Sequence, residues 1–178
     1  MIETGKTDDF LALYYYLVAN YMSHETHCNG ELPLRETPDD KNKSVINVQP
    51  HDHSNAGFHF MTRSMLIYED DTSIHLLRGI PSWWLVQTQK SIDVKQAPTT
   101  SGPISFAVSR IGDKLEALMN LPERAPDKTI GVHLPLPSGS HLGQVEINGK
   151  PWTKFDSIGN VVSFSGLPGK VHLIVTVK

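Results

Sequence analysis

The amino-acid sequence predicts an α+β protein in which two N-terminal helices precede an antiparallel β-sandwich of about eight strands. Three observations predict this fold class. Apolar residues recur at helical spacing in two N-terminal segments, they alternate with polar residues along short segments after Asp70, and Gly, Pro and Asn turns separate those segments. The change of period falls within residues 54–84, so we expect a helical segment over residues 1–72 and a sandwich over residues 73–178.

Composition and charge narrow the function classes. The chain has 178 residues, enough for one domain or for a small domain plus part of another. Its 16 basic residues nearly balance 19 acidic ones, which argues against a nucleic-acid or membrane partner. The N-terminus carries no recognisable signal peptide, and the longest apolar run, 10–19, is about half of the roughly 20 residues that span a bilayer. As given, the sequence is typical of a cytoplasmic protein, and we expect no cofactor.

The first helix is predicted over residues 8–23. Thr7 can cap it, and Asp8 and Asp9 lie where the helix dipole favours carboxylates. Residues 10–19, FLALYYYLVA, are apolar on every face, which is typical of a helix enclosed by other helices. Only one other helix, about 54–69, is predicted. We therefore expect either a missing N-terminal helical domain or self-association through the apolar helix, unless the tyrosines lie on the β-domain with their hydroxyls in water.

The remaining elements are a long polar loop and a series of strands. Residues 24–53 are polar, contain three prolines and include an Asn29-Gly30 turn. Later, Asn148-Gly149 suits a type I′ hairpin turn because both residues tolerate positive φ, and a hairpin is also expected at Gly112-Asp113. Alternation predicts strands over 74–80, 92–94, 104–108, 115–121, 130–136, 145–147, 162–164 and 171–177.

The order of these segments resembles a known family. The strings TDDFLALYYYL, SNAGFHFMTRSML, IHLLRGIPSWWL and VEINGKPW follow one another as in the C-terminal end of bacterial glycoside hydrolases of the six-hairpin (α/α)6-toroid type. In those enzymes the last helical hairpin passes through a strand of the form I-x-L-L-x-x-(I/L)-P-x-x-W into a C-terminal β-sandwich. Because a toroid needs more helices than this chain offers, the resemblance implies a C-terminal fragment, inactive alone and periplasmic or secreted if its precursor is longer.

The same resemblance implies candidate site residues in the polar loop. In the fucosidase-like branch, an acidic residue in a Q-x-D-x-N-type stretch before the last toroid helix lies at the active site. Here residues 49–55, QPHDHSN, occupy a similar place, which implies a catalytic role for Asp52 and carbohydrate contacts for Asn55, His51 and His53. A competing interpretation is that Asp52, with Ser54, caps the following helix.

Glycoside hydrolysis uses two carboxyl groups roughly 5–10 Å apart. Glu25 and Glu31 flank the Asn29-Gly30 turn and are the candidates for the second carboxylate. The alternative is that both are solvated loop charges.

A second group of residues has side chains of the types that bind zinc: His24, His27, Cys28, His51, His53 and His59. No spacing in this group matches a known zinc module, so we predict no metal site.

Trp83, Trp84 and Trp152 can form a sugar-stacking platform or an apolar core. Adjacent residues of an extended segment point opposite ways, so one of Trp83 and Trp84 is expected to be exposed, and we name Trp83 as substrate-binding. The rival function is a stand-alone β-sandwich module that binds carbohydrate or protein.

Overall fold

A computed structural model describes residues 7–23, 26–30, 50–85, 90–124 and 127–178. The chain forms two compact units, Met1–Met65 and Leu66–Lys178. Glu25, Glu31 and most of the long polar loop lie outside the described residues. None of the helices in the described ranges is long and apolar enough to cross a membrane.

The first unit is built on two helices, α1 (Thr7–Tyr21) and α2 (Asp52–Leu66). Tyr14 joins them, because its ring stacks on Phe58 with centroids 5.2 Å apart and its hydroxyl lies 3.3 Å from Thr62 Oγ1. Phe10 and Leu11 are buried with Tyr14 on one side of α1. The predicted second helix continued to about residue 69, but α2 ends at Leu66 because the next residue begins a strand.

The described residues of the second unit form eleven strands. The two helices and two antiparallel-rich sheets of the described ranges confirm the predicted fold class. The sequence suggested about eight strands, and the additional ones are too short to show a period. The strands are β1 (Ile67–Glu69), β2 (Ser73–Leu76), β3 (Ser91–Ala97), β4 (Ile104–Ile111), β5 (Lys114–Leu121), β6 (Thr129–His133), β7 (Leu142–Ile147), β8 (Lys150–Pro151), β9 (Phe155–Asp156), β10 (Val161–Phe164) and β11 (Gly169–Val177).

These strands form two sheets. The larger has the order β3-β4-β5-β11-β7-β8, and all of its neighbours are antiparallel. The smaller has the order β1-β2-β6-β10-β9. Its β2–β6 pair is parallel, with Ile74 opposite Ile130 and Leu76 opposite Val132. The predicted antiparallel sandwich is therefore interrupted by one parallel pair.

The sandwich core consists of alternate residues from both sheets. One face of each sheet is buried, as the period of two in the sequence predicts. The larger sheet buries, among others, Ile104, Phe106, Val108, Leu115, Ala117, Val145, Val171, Leu173 and Val175, and the smaller sheet buries Ile74, Leu76, Ile130, Val132, Val162 and Phe164.

The segment after β2 differs from the sequence expectation. A strand was predicted to Ile80, but β2 ends at Leu76 because Leu77 adopts a left-handed conformation with φ of 63°. Its buried backbone N–H donates to the Leu66 carbonyl oxygen at 2.8 Å. The two tryptophans then lie in the 3-10 helix Ser82–Trp84 rather than in an extended segment. Trp83 is nevertheless exposed and Trp84 half-buried.

The strand register of β7 gives a direct test of the sandwich. Val145 is 3% exposed and lies opposite Val175 of β11, whereas Glu146 is exposed. Val145→Asp should lower the free energy of unfolding by several kcal/mol because it buries an unpaired carboxylate, against about 0.5 kcal/mol for Glu146→Lys. Thermal unfolding of the two variants measures the difference. Equal shifts in Tm would show that this register is wrong.

Candidate functional site

The first residues of α2 bring together four of the predicted site residues: His51, Asp52, His53 and Asn55. His51 directly precedes the helix, and its Nδ1 accepts the Ser54 backbone N–H at 3.4 Å and lies 2.9 Å from Ser54 Oγ. A side-chain acceptor in this position satisfies a free N–H of the first helical turn. The interpretation that Asp52 caps the helix is therefore wrong, because His51 supplies the capping atom.

Asp52 is free to take another role. It is the first residue of α2 and is exposed, and a carboxylate in the first helical turn is favoured by the helix dipole. His53 is also exposed, and its ring centroid lies 6.4 Å from that of His51. One carboxyl and two imidazole groups thus lie within about one helical turn, and these groups can donate or accept protons. Glu25 and Glu31 lie outside the described residues, so the second carboxylate stays a prediction.

Asn55 fastens the loop 26–30 to α2. Its Oδ1 accepts the backbone N–H of Asn29 at 2.8 Å, while the Asn29 carbonyl oxygen accepts the N–H of His51 at 3.0 Å. Asn29 is 3% exposed, and its own Oδ1 is buried without a hydrogen-bond partner among the described residues. The sequence indicated only a turn at Asn29, because the acceptor lies 26 residues further along the chain.

The histidine-rich group has side chains of the types that bind metal ions. Within the described ranges, no cluster of three or more His, Cys, Asp or Glu side chains could hold a metal ion. His24 lies outside those ranges, so the absence of a metal site stays a prediction.

A second cluster, which sequence reasoning missed, lies in the second unit. Planar side chains of β1, β2 and β6, together with Arg78 just after β2, form a row across the smaller sheet. The ring centroids of Tyr68 and His75 are 6.0 Å apart, and those of His75 and His133 are 5.2 Å apart. The Arg78 guanidinium carbon lies 5.6 Å from the Tyr68 ring centroid. We call these four residues the ring row.

Charged groups beside His75 are held by hydrogen bonds and an ion pair. Asp70 Oδ1 accepts the N–H groups of Thr72 at 2.9 Å and Ser73 at 2.7 Å. The hydrogen bond from the Thr72 backbone, which outweighs the opposing effect of burial, lowers the pKa of the Asp70 carboxyl. Neighbouring Glu69 is paired with Lys128 Nζ at 3.4 Å. Asp70 is therefore a carboxylate at neutral pH.

The signal for the ring row in the sequence is weak. His75 stands between buried Ile74 and Leu76, and His133 follows buried Val132, so both occupy the outward positions of alternating strands. Outward histidines are common, and only the non-local pairing of β2 with β6 brings these two together.

The candidate Trp83 lies in the second unit, whereas His51, Asp52, His53 and Asn55 lie in the first. Its side chain is 53% exposed. Trp152, in contrast, is fixed by its indole N–H, which lies 3.0 Å from the Ser163 carbonyl oxygen and 3.2 Å from that of Lys154. Of these two tryptophans, Trp83 presents the larger aromatic surface to solvent and Trp152 has a structural role.

Solved structures that are similar to this chain include a glycoside hydrolase and a β-arabinofuranosidase. No protein-family model and no curated protein matches this chain. A solved structure described as a glycoside hydrolase is 12% identical, with a TM-score of 0.46 over 94% of this chain and 28% of its own length. A GH127 β-arabinofuranosidase is 13% identical, with a TM-score of 0.39 over 70% of this chain and 22% of its own length. The chain thus spans less than a third of either structure.

The fastening role of Asn55 can be tested with two substitutions of similar size. Asn55→Leu removes the acceptor of the buried Asn29 N–H and should lower the free energy of unfolding by about 1–2 kcal/mol. Asn55→Asp retains an oxygen acceptor and should change it by less than about 0.5 kcal/mol. Urea unfolding followed by the helical circular dichroism signal measures both. Equal losses in the two variants would contradict the assigned hydrogen bond.

Proposed function

We propose that this chain is the C-terminal part of a carbohydrate-active, glycoside hydrolase-like protein and is catalytically inactive alone. It would comprise the last helical hairpin of an (α/α)6 toroid and the β-sandwich that follows. Support comes from the order of the segments: an apolar helix, a polar loop, a second helix, the segment IHLLRGIP that contains the end of β2, and the hairpin with VEINGK. The partner of the helices is then the rest of the helical domain.

The observation that carries this proposal is the solvent-facing side of α1. After Asp9 this helix contains no charged residue. Beyond the first turn, where Asp8 and Asp9 are exposed, the exposed positions lie on one arc and are occupied by alanine, leucine and tyrosine: Ala12, Leu13, Tyr15, Tyr16 and Ala19. A surface helix of a soluble protein places charged and polar residues on its exposed arc. The composition of this arc fits a helix that other helices cover.

The second helix adds to this argument. Phe60 of α2 is 71% exposed, although phenylalanine side chains are usually buried. A helical domain packed on this unit would remove both apolar surfaces from water, with a gain of about 25 cal/mol per Å² of apolar area buried.

The proposed chemistry places carbohydrate near the start of α2. Asp52 would act as one catalytic carboxyl group, and Glu25 or Glu31 would supply the other. His51, His53 and Asn55 would contact sugar hydroxyls there. Independently, Trp83 of the second unit would bind carbohydrate by stacking on a sugar ring. A toroid active site is formed by several helical hairpins, so a single hairpin cannot enclose the substrate. We therefore expect no hydrolysis by this chain alone.

Self-association tests the proposal directly. The full chain should form oligomers and bind an apolar dye, because Leu13, Tyr15 and Tyr16 of α1 expose apolar surface to water. Replacing Leu13 and Tyr16 by serine should reduce the average mass in light scattering and reduce dye fluorescence. The matched control is Ile158→Ser, which removes a 90% exposed apolar side chain from the sandwich and should change neither signal.

The outcome that would contradict the proposal is a monodisperse monomer that binds no dye. A monomer would favour the alternative, a stand-alone sandwich module, in which deletion of residues 1–23 lowers solubility. The exposure of Trp83 favours carbohydrate as the ligand of such a module. Binding of oligosaccharides that is lost in Trp83→Ala and retained in the wild-type monomer would support this alternative.

A further inference from the structure

The strands β2 and β6 are joined by a pair of histidine side chains. In the parallel register His75 lies opposite Gly131, and His133 follows two residues later on the same face. His75 Nδ1 and His133 Nε2 are 3.0 Å apart, which is hydrogen-bonding distance. This contact joins β2 to β6 within the smaller sheet.

Asp70 determines which nitrogen carries each proton. Its carboxylate Oδ2 lies 3.4 Å from His75 Nε2, so this nitrogen carries the proton that points to Asp70. His75 Nδ1 then has a lone pair, and His133 Nε2–H donates to it. Both rings are neutral in this arrangement, and one proton lies between the facing nitrogens.

Protonation of both rings breaks the arrangement. One added proton can be held by His75 beside the Asp70 carboxylate, with the His133 proton on Nδ1 and His133 Nε2 as acceptor. A further proton on His133 would place two N–H groups against each other and introduce a second cation at a largely buried position. Burial, and then the neighbouring His75 and Arg78, lower the pKa of His133 from 6.5 to about 4. Burial and Arg78 also lower the pKa of His75, against the opposing effect of Asp70.

The other charged side chains on the adjoining elements have partners of their own. Lys128 Nζ is hydrogen-bonded to the Asp70 carbonyl oxygen at 2.9 Å and pairs with Glu69. On the far side, Val161 of β10 lies opposite His133 and Asp156 of β9 lies opposite Val161. The Asp156 carboxylate accepts the N–H groups of Ile158 and Gly159, both at 2.9 Å.

Gly131 leaves room for the two rings. A Cβ atom at this position would lie 3.1 Å from His75 Nδ1 and 3.6 Å from His133 Nε2. A larger residue would therefore press on the two nitrogens that form the hydrogen bond. The backbone, the two rings and Asp70 together form a close-fitting contact that has no room for a proton on both facing nitrogens.

We propose that the His75–His133 pair is an acid-sensitive latch that holds β2 against β6 at neutral pH and loosens this pairing as the pH falls. The sign follows from the depressed pKa of His133. The open state binds protons at the ordinary pKa near 6.5, so the latch is fully effective above that value and is progressively lost as the pH falls towards about 4. An acidic compartment would then favour release of β2 from β6.

Amide hydrogen exchange of the full chain at pH 7.5 and pH 5 tests the latch. After correction for intrinsic exchange, amides of residues 73–76 and 129–133 should open about 30-fold more often at pH 5, from the two pKa values of His133. Amides of the β5–β11 pair should change little. His133→Gln retains an N–H donor without a titrating ring and should remove the acceleration, whereas His141→Gln, at an exposed histidine, should not.

Equal acceleration in wild type and His133→Gln, or none in wild type, would overturn the proposal. If His133→Gln does not fold, an imidazole NMR titration of the wild-type chain decides. A His133 midpoint below pH 5 supports the latch, and a midpoint near 6.5 overturns it.

Discussion

The structure of the second unit depends on the parallel pairing of β2 with β6. This pairing places β2 between β1 and β6 in the smaller sheet. There Ile74 and Leu76 are buried opposite Ile130 and Val132. Parallel strands need a long connection, and here it includes the whole sequence from β3 to β5. Ile74 and Leu76 of β2 are thus core residues of the sandwich.

The same pairing explains where polar side chains collect. It places His75 beside His133 and leaves Asp70 at the preceding turn, so a neutral and closely fitted polar contact covers the outer side of a buried apolar pair. The candidates at the start of α2 belong to the other unit and depend on a different interaction, the reciprocal bonding of Asn29 with His51 and Asn55. The candidate site residues at the start of α2 and the residues that join β2 to β6 are therefore separate sets.

Local features of this fold could be predicted from the sequence, and non-local ones could not. The hairpins at Gly112-Asp113 and Asn148-Gly149 are confirmed, because positive φ at Gly112, Asn148 and Gly149 is a property of the turn residues themselves. The extended geometry assumed for Trp83 was wrong, because a 3-10 helix forms there. The contacts of His133 and Asn29 depend on partners 58 and 26 residues away, and no local pattern identifies such partners.

The most direct measurement compares two truncated chains, residues 66–178 and residues 88–178, by amide hydrogen exchange. The first retains β1 and β2 and should fold with protected amides in both sheets. The second lacks them, so protection at Ile130 and Val132 should fall at least about tenfold while protection in the β5–β11 pair persists. Equal protection of β6 in the two chains would contradict the central role of the β2–β6 pairing.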